Sequence, residues 1–179
     1  MRVDMHLPVL VFTLFIAALM QDLFPVTAAL PVKPVFLTAV ALYAALTRPV
    51  WIALTAMVWA GGLTDALGGL PPLCTPIFLM LLYAATRLLQ RVFLEAGLLQ
   101  GVLVTAAVAA AQWLWTQLWL HGGAALFTLE NLKLLVYTIP AGMLAGFIGF
   151  IFCGLTDRLS GLVKPVEEGH GILWAETDR

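Results

Sequence analysis

The chain has 179 residues, of which 62% are hydrophobic and only 11% charged, with a formal net charge of −1 and a mean hydropathy of +1.00. That balance excludes an ordinary soluble globular domain and points to an integral membrane protein. No nucleic-acid partner is expected.

Charged residues delimit six apolar stretches: Met5–Gln21, Pro34–Thr47, Pro49–Thr64, Ala66–Thr86, Ala96–Leu129 and Leu134–Thr156. Each can hold one helix. A membrane span needs about 20 mainly apolar residues, with a range of about 17 to 25, so three stretches fit easily and three are short. Lys33 and Arg48 extend the short ones, because their aliphatic stems run along a helix and carry the charge to the headgroups. The period-two alternation of a transmembrane β-barrel is missing. The expected fold is all-α: a polytopic integral membrane protein with a bundle of six transmembrane helices at about 7–24, 34–47, 50–65, 74–89, 96–119 and 133–155. These make one domain, 1–156, followed by a flexible tail, 157–179.

The first helix follows only a short polar opening and resembles a signal peptide in placement. No A-x-A site followed by a soluble domain appears, so it is expected to be retained. Pro34 opens the second helix and Pro49 separates it from the third, giving a tight hairpin. Trp51 marks a membrane boundary, while Trp59 lies deep in the third helix. Pro71, Pro72 and Pro76 stop the third helix from running into the fourth. The fifth carries Gly97, Gly101, Thr105 and Ala109 at four-residue spacing, a face without bulky side chains, and ends among Trp113, Trp115 and Trp119. The sixth carries Gly142 and Gly146, with Ala145 and Gly149 on an adjacent track. Lipid supplies little hydrophobic force between helices, so such small-residue faces are expected to pack against each other. The tail from residue 157 contains Gly161, Pro165, Gly169 and Gly171, which interrupt regular structure, and a short apolar island, Ile172 to Trp174.

With six spans, Arg2, Arg48, Arg87, Arg91, Arg158, Lys164 and Arg179 fall on one side and only Lys33 and Lys133 on the other. The positive-inside bias therefore places both termini in the cytoplasm.

Catalytic patterns are missing. His6, His121 and His170 are scattered over both sides and cannot share a metal, Cys74 and Cys153 suggest packing rather than a disulfide or zinc framework, and no metalloprotease, nucleophile-elbow or phosphate-loop motif occurs. Asp22 and Asp65 are both near the predicted outer face, where paired carboxylates can serve an intramembrane protease. The run Gly62, Leu63, Thr64, Asp65 departs from the G-x-G-D of presenilin-like proteases, and no enzyme activity and no cofactor are expected. Asp65 instead stands among Gly61, Gly62, Gly68 and Gly69, which let a neighbouring backbone approach, so its carboxylate is expected to accept N–H bonds and pin a tight turn.

The run from Lys33 to Arg91, "KPVFLTAVALYAALTRPVWIALTAMVWAGGLTDALGGLPPLCTPIFLMLLYAATRLLQR", resembles the central portion of the MreD family of bacterial rod-shape-determining proteins. The likeness lies in order and spacing: Lys33 and Pro34 opening a short helix, a basic turn at Arg48, and G-L-x-D-x-L-x-G carried by Gly62, Leu63, Asp65, Leu67 and Gly69. It covers about a third of the chain. Where that family usually shows a proline, a small or apolar residue and then glycine, this sequence has Pro71, Pro72, Leu73 and Cys74. The resemblance implies a non-enzymatic inner-membrane scaffold of the cell-elongation complex, acting in cell shape and peptidoglycan synthesis with an MreC-like membrane protein and, through it, MreB, RodA and a penicillin-binding protein. The alternative is the substrate-binding subunit of an energy-coupling-factor vitamin transporter, whose pocket would have to be built from Trp59, Asp65, Gln112 and Glu130. A third class, a small lipid or ion carrier, would need buried charges, for which Asp65 is the candidate.

Overall fold

The computed structural model describes residues 6–27, 31–93, 98–121 and 128–161. Among them are six helices and no strand: α1 His6–Leu23, α2 Phe36–Thr47, α3 Val50–Gly68, α4 Cys74–Phe93, α5 Leu98–His121 and α6 Leu129–Leu159. Three of these, α3, α5 and α6, are long and apolar enough to cross a membrane.

The contacts between helices have a simple order. Around the outside, α1 touches α3, α3 touches α4, α4 touches α5, α5 touches α6 and α6 returns to α1, while α2 touches all five. The shortest helix is therefore the axle of the bundle. Its sequence accounts for this position: every residue from Phe36 to Ala45 is buried, and a helix apolar on all sides is stable only when surrounded. Small side chains at Ala39, Ala41, Ala44 and Ala45, each nearly inaccessible, let the neighbours close around it. At a rise of about 1.5 Å per residue, α2 is about 18 Å long. That is too short for a membrane span, but a central helix can end at depth because its neighbours cover its polar termini. The five surrounding helices carry exposed large apolar side chains, among them Phe15 on α1, Trp59 on α3, Leu81 on α4, Leu99 on α5 and Phe147 on α6.

The small-residue faces of α5 and α6 meet within the chain. A Cβ added at Gly142 would lie 2.7 Å from Ala109 Cβ and 2.8 Å from Ala106 Cα, and one at Gly146 would lie 2.8 Å from Thr105 Cβ and 3.1 Å from Val102 Cα. At Gly101 the obstacle is different, the edge of the Phe150 ring at 2.6 Å. Gly97 lies outside the described residues. Because a ring can turn and a backbone cannot, Gly142→Leu should lower stability more than Gly101→Leu, with overpacking costing about 1 to 3 kcal/mol. Thermal unfolding in mild detergent reads the difference; unchanged melting of Gly142→Leu would mean that α5 and α6 do not pack this way.

The two ends of α6 differ from the sequence-based bounds. It begins earlier, where the Thr128 side chain accepts the Asn131 N–H at 3.4 Å as an N-cap, and it continues to Leu159. Asp157 and Arg158 therefore belong to the helix and not to a tail. The rest of the expected tail, from residue 162, lies outside the described residues.

Candidate functional site

Polar side chains gather at the two ends of the bundle. At the end where α3 meets α4, the Asp65 carboxylate is 5% exposed and accepts the Thr75 N–H, at 3.0 Å to Oδ1 and 3.3 Å to Oδ2. Thr75 is the second residue of α4, so Asp65 caps that helix from the end of α3 and sets a negative charge against its positive dipole end. The same residue also closes its own helix, since its carbonyl accepts the N–H of Gly69 and of Leu70 at 2.9 Å. This is a Schellman-type ending, with Gly69 in the left-handed region at φ 62°. One turn deeper, Gly61 lets the start of α4 come close: an added Cβ would stand 2.6 Å from Pro76 N. Pro76 is in the first turn of α4, where its missing N–H leaves no bond unmade.

The other glycines of this stretch have other positions. An added Cβ at Gly62 would meet nothing within 4 Å, and one at Gly68 would only touch the Leu70 side chain at 3.4 Å. The close approach expected of the whole glycine cluster is confined to Gly61. Leu73, in the connection, takes φ 71°, a backbone that costs a non-glycine residue about 1 to 2 kcal/mol.

Both ends of α2 are tied. At its start, the Gln21 side chain accepts the Leu37 N–H at 3.2 Å, and the Thr38 hydroxyl donates to Gln112 Oε1 at 2.7 Å. Pro34 is fully buried, whereas Lys33 is exposed and donates to the Asp22 carbonyl at 3.4 Å. At the far end, Arg48 pairs with Asp157, and the Tyr43 hydroxyl donates to the other Asp157 oxygen at 2.9 Å. Arg48 is 8% exposed and Asp157 2%. Arg48 thus does not reach outward along the helix surface as the sequence suggested. The turn after α2 is packed under α6, and the guanidinium finds a carboxylate inside the protein, as a buried charge must.

The residues considered for a ligand pocket do not converge. Trp59 is 63% exposed on the outer face of α3 and Glu130 is exposed on the first turn of α6. Gln112 and Asp65 are buried, but each is engaged by a different helix end. The Trp115 indole N–H donates to the Cys74 carbonyl at 2.9 Å and so ties α5 to the start of α4. No group of three His, Cys, Asp or Glu side chains suited to a metal occurs among the described residues. Tyr43, Asp157, Gln21 and Thr38 were missed by sequence reasoning. The clue for Asp157 was its register: it continues the buried row of Gly142, Gly146, Gly149 and Cys153, all at spacings of three or four residues. The chain matches no protein-family model, and no curated protein and no solved structure is significantly similar to it.

Proposed function

We propose that this protein is a multi-pass membrane scaffold without enzymatic activity, and that it serves the cell-elongation complex of a bacterium in the manner of the MreD family. The observation that carries this reading is the coincidence of the resembling stretch with one structural unit. Residues 33 to 91 form the central helix α2 and the α3–α4 hairpin, and Asp65, within the G-L-x-D-x-L-x-G run, holds that hairpin closed. The large apolar side chains exposed on all five surrounding helices suit burial in lipid and docking against partner helices. Buried polar side chains at Asp65, Gln112, Arg48 and Asp157 bond to other helices of the same chain, which favours a rigid shape over a reacting centre. The scattered positions of Trp59, Asp65, Gln112 and Glu130 weigh against a vitamin pocket. In this reading the protein lies in the inner membrane with both termini cytoplasmic, and its partners are an MreC-like single-span protein and, through it, MreB, RodA and a penicillin-binding protein.

A tagged chain expressed in a rod-shaped bacterium should retain the MreC-like protein through purification and show no tight vitamin binding in calorimetry. Sub-micromolar vitamin binding without that capture would overturn the scaffold in favour of the transporter subunit. In the same cells, with Cys74 and Cys153 replaced by alanine, Val26→Cys should react with an impermeant maleimide and Ser160→Cys should not. The reverse labelling would sink the topology.

A further inference from the structure

Two carboxylates are buried among the described residues, those of Asp65 and Asp157, and the protein satisfies them unequally. Asp157 has the Arg48 guanidinium and the Tyr43 hydroxyl. Asp65 has a single N–H, that of Thr75, shared between its two oxygens at 3.0 and 3.3 Å, and no basic side chain pairs with it among the described residues. A buried charge is held by an opposite charge or by a metal ion, and no protein group supplies that charge at Asp65. Beside it stands a second unfilled group. Thr75 is wholly buried, and its hydroxyl, alone among the described buried side-chain nitrogens and oxygens, has no hydrogen-bond partner. A buried polar atom left in this way points to a missing partner. The start of α4 is not itself the attraction. Its Cys74 and Ile77 N–H groups donate to the Pro71 and Leu73 carbonyls, each at 3.2 Å, that of Thr75 goes to Asp65, and Pro76 has none, so the first turn keeps no donor for an anion. What remain are oxygen lone pairs, about four on a carboxylate and two on a hydroxyl. They meet in one corner, because the N–H that Asp65 accepts belongs to Thr75 itself.

We infer that this corner of the α3–α4 hairpin binds a small monovalent cation, sodium, through the Asp65 carboxylate and the Thr75 hydroxyl. Oxygen donors of this kind suit a hard cation, and one carboxylate balances one positive charge rather than two. Size favours sodium over potassium, since α3 and α4 close tightly one turn away at Gly61, where an added Cβ would stand 2.6 Å from Pro76 N. The corner joins the C-terminal end of α3 to the start of α4, and helix ends of that sense coordinate sodium inside membrane proteins. It lies under the connection 69–73, in which Gly69, Pro72 and Leu73 are exposed, so the ion exchanges with solvent at that end of the bundle. Its effect is to lock the hairpin, because it is held by both helices at once. This goes beyond the scaffold reading and does not rest on it.

The test is thermal unfolding of the full-length protein in a neutral detergent, in sodium, potassium or choline chloride at equal ionic strength. Sodium should raise the melting temperature by about 5 °C or more over choline, the shift expected for a chain of this length with a ligand at about 100 times its Kd. Potassium should do much less. Asp65→Asn keeps an oxygen for the Thr75 N–H, so the hairpin still folds, and Thr75→Val keeps the side-chain shape without the hydroxyl. Both variants should melt alike in sodium and choline. In choline, Thr75→Val should melt no lower than the native protein, because the hydroxyl it removes has no partner there; a lower melting temperature would mean that a water or protein group already satisfies the hydroxyl, and would overturn the site. So would a native protein indifferent to sodium, or a sodium shift that survives in either variant. Potassium stabilising as strongly as sodium would overturn the choice of ion. Partner capture is scored separately by pull-down, so a missing sodium shift leaves the scaffold reading intact and a missing partner leaves the cation site intact.

Discussion

Arg48→Met should destabilise the protein by about 3 to 5 kcal/mol, and Asp157→Leu by a similar amount, while the double variant should recover most of the loss. Each single change takes from a buried charge the opposite charge it is paired with, at the place where the turn after α2 is covered by α6. The double change removes both charges and fills their volume with apolar atoms. Arg48→Lys should rescue poorly, because an ammonium cannot reproduce the fork of donors that a guanidinium presents to a carboxylate. Tyr43→Phe should cost less, about 1.5 to 3 kcal/mol, since it removes one hydrogen bond to a charged acceptor and keeps the ring. That ring stands edge-on to Phe150 with centroids 5.4 Å apart. Denaturant unfolding in a mild detergent, arranged as a double-mutant cycle, gives the coupling directly. If both single variants unfold like the native protein, the pair is not buried as described. High salt should leave the native stability nearly unchanged, because screening acts weakly on a pair removed from solvent.

What the sequence made legible, and what it did not, divides along a physical line. Helix number and order follow from the spacing of charges, because a long apolar run without period-two alternation satisfies its backbone within its own helix. The α5–α6 seam follows from Gly142 and Gly146, whose missing side chains are visible in the one-letter code. The role of Arg48 did not follow, because a basic residue beside a proline turn looks the same whether it reaches the headgroups or folds under a neighbouring helix. Distance to Asp157, 109 positions away, decides between those outcomes. Trp59 fails for a related reason: depth along a helix can be counted, but which side of the helix faces inward depends on its partners. Among the four glycines at Asp65, composition alone cannot separate a residue needed for close approach, Gly61, from one needed for a left-handed backbone, Gly69, or from Gly62, which meets no neighbour. The central place of α2 was readable in principle from its uniformly apolar sequence and short length, two properties that together describe a helix covered on all sides.

Asp65→Leu should both destabilise the α3–α4 hairpin and abolish capture of an MreC-like partner, whereas Asp65→Asn should do each only mildly. The two replacements remove different things. Asparagine keeps one carbonyl oxygen able to accept the Thr75 N–H and loses only the charge facing the α4 dipole, worth about 0.3 to 1 kcal/mol and up to about 2 when partly buried. Leucine leaves that N–H buried without an acceptor, at about 1 to 3 kcal/mol, in a connection that already holds Leu73 at φ 71°. Gly61→Ala provides an independent route to the same unit, since its methyl group would meet the Pro76 backbone at 2.6 to 2.7 Å and push α4 away without touching the carboxylate. If the hairpin is what a partner recognises, partner capture should fall in the order native, Asp65→Asn, Gly61→Ala and Asp65→Leu, in parallel with melting temperature. A charge with a chemical task gives another pattern: Asp65→Asn alone would abolish function while the hairpin stayed folded and the partner stayed bound. Pull-down and thermal unfolding on the same preparations separate the two, and loss of rod shape in Asp65→Asn cells with undiminished capture would overturn the anchoring role.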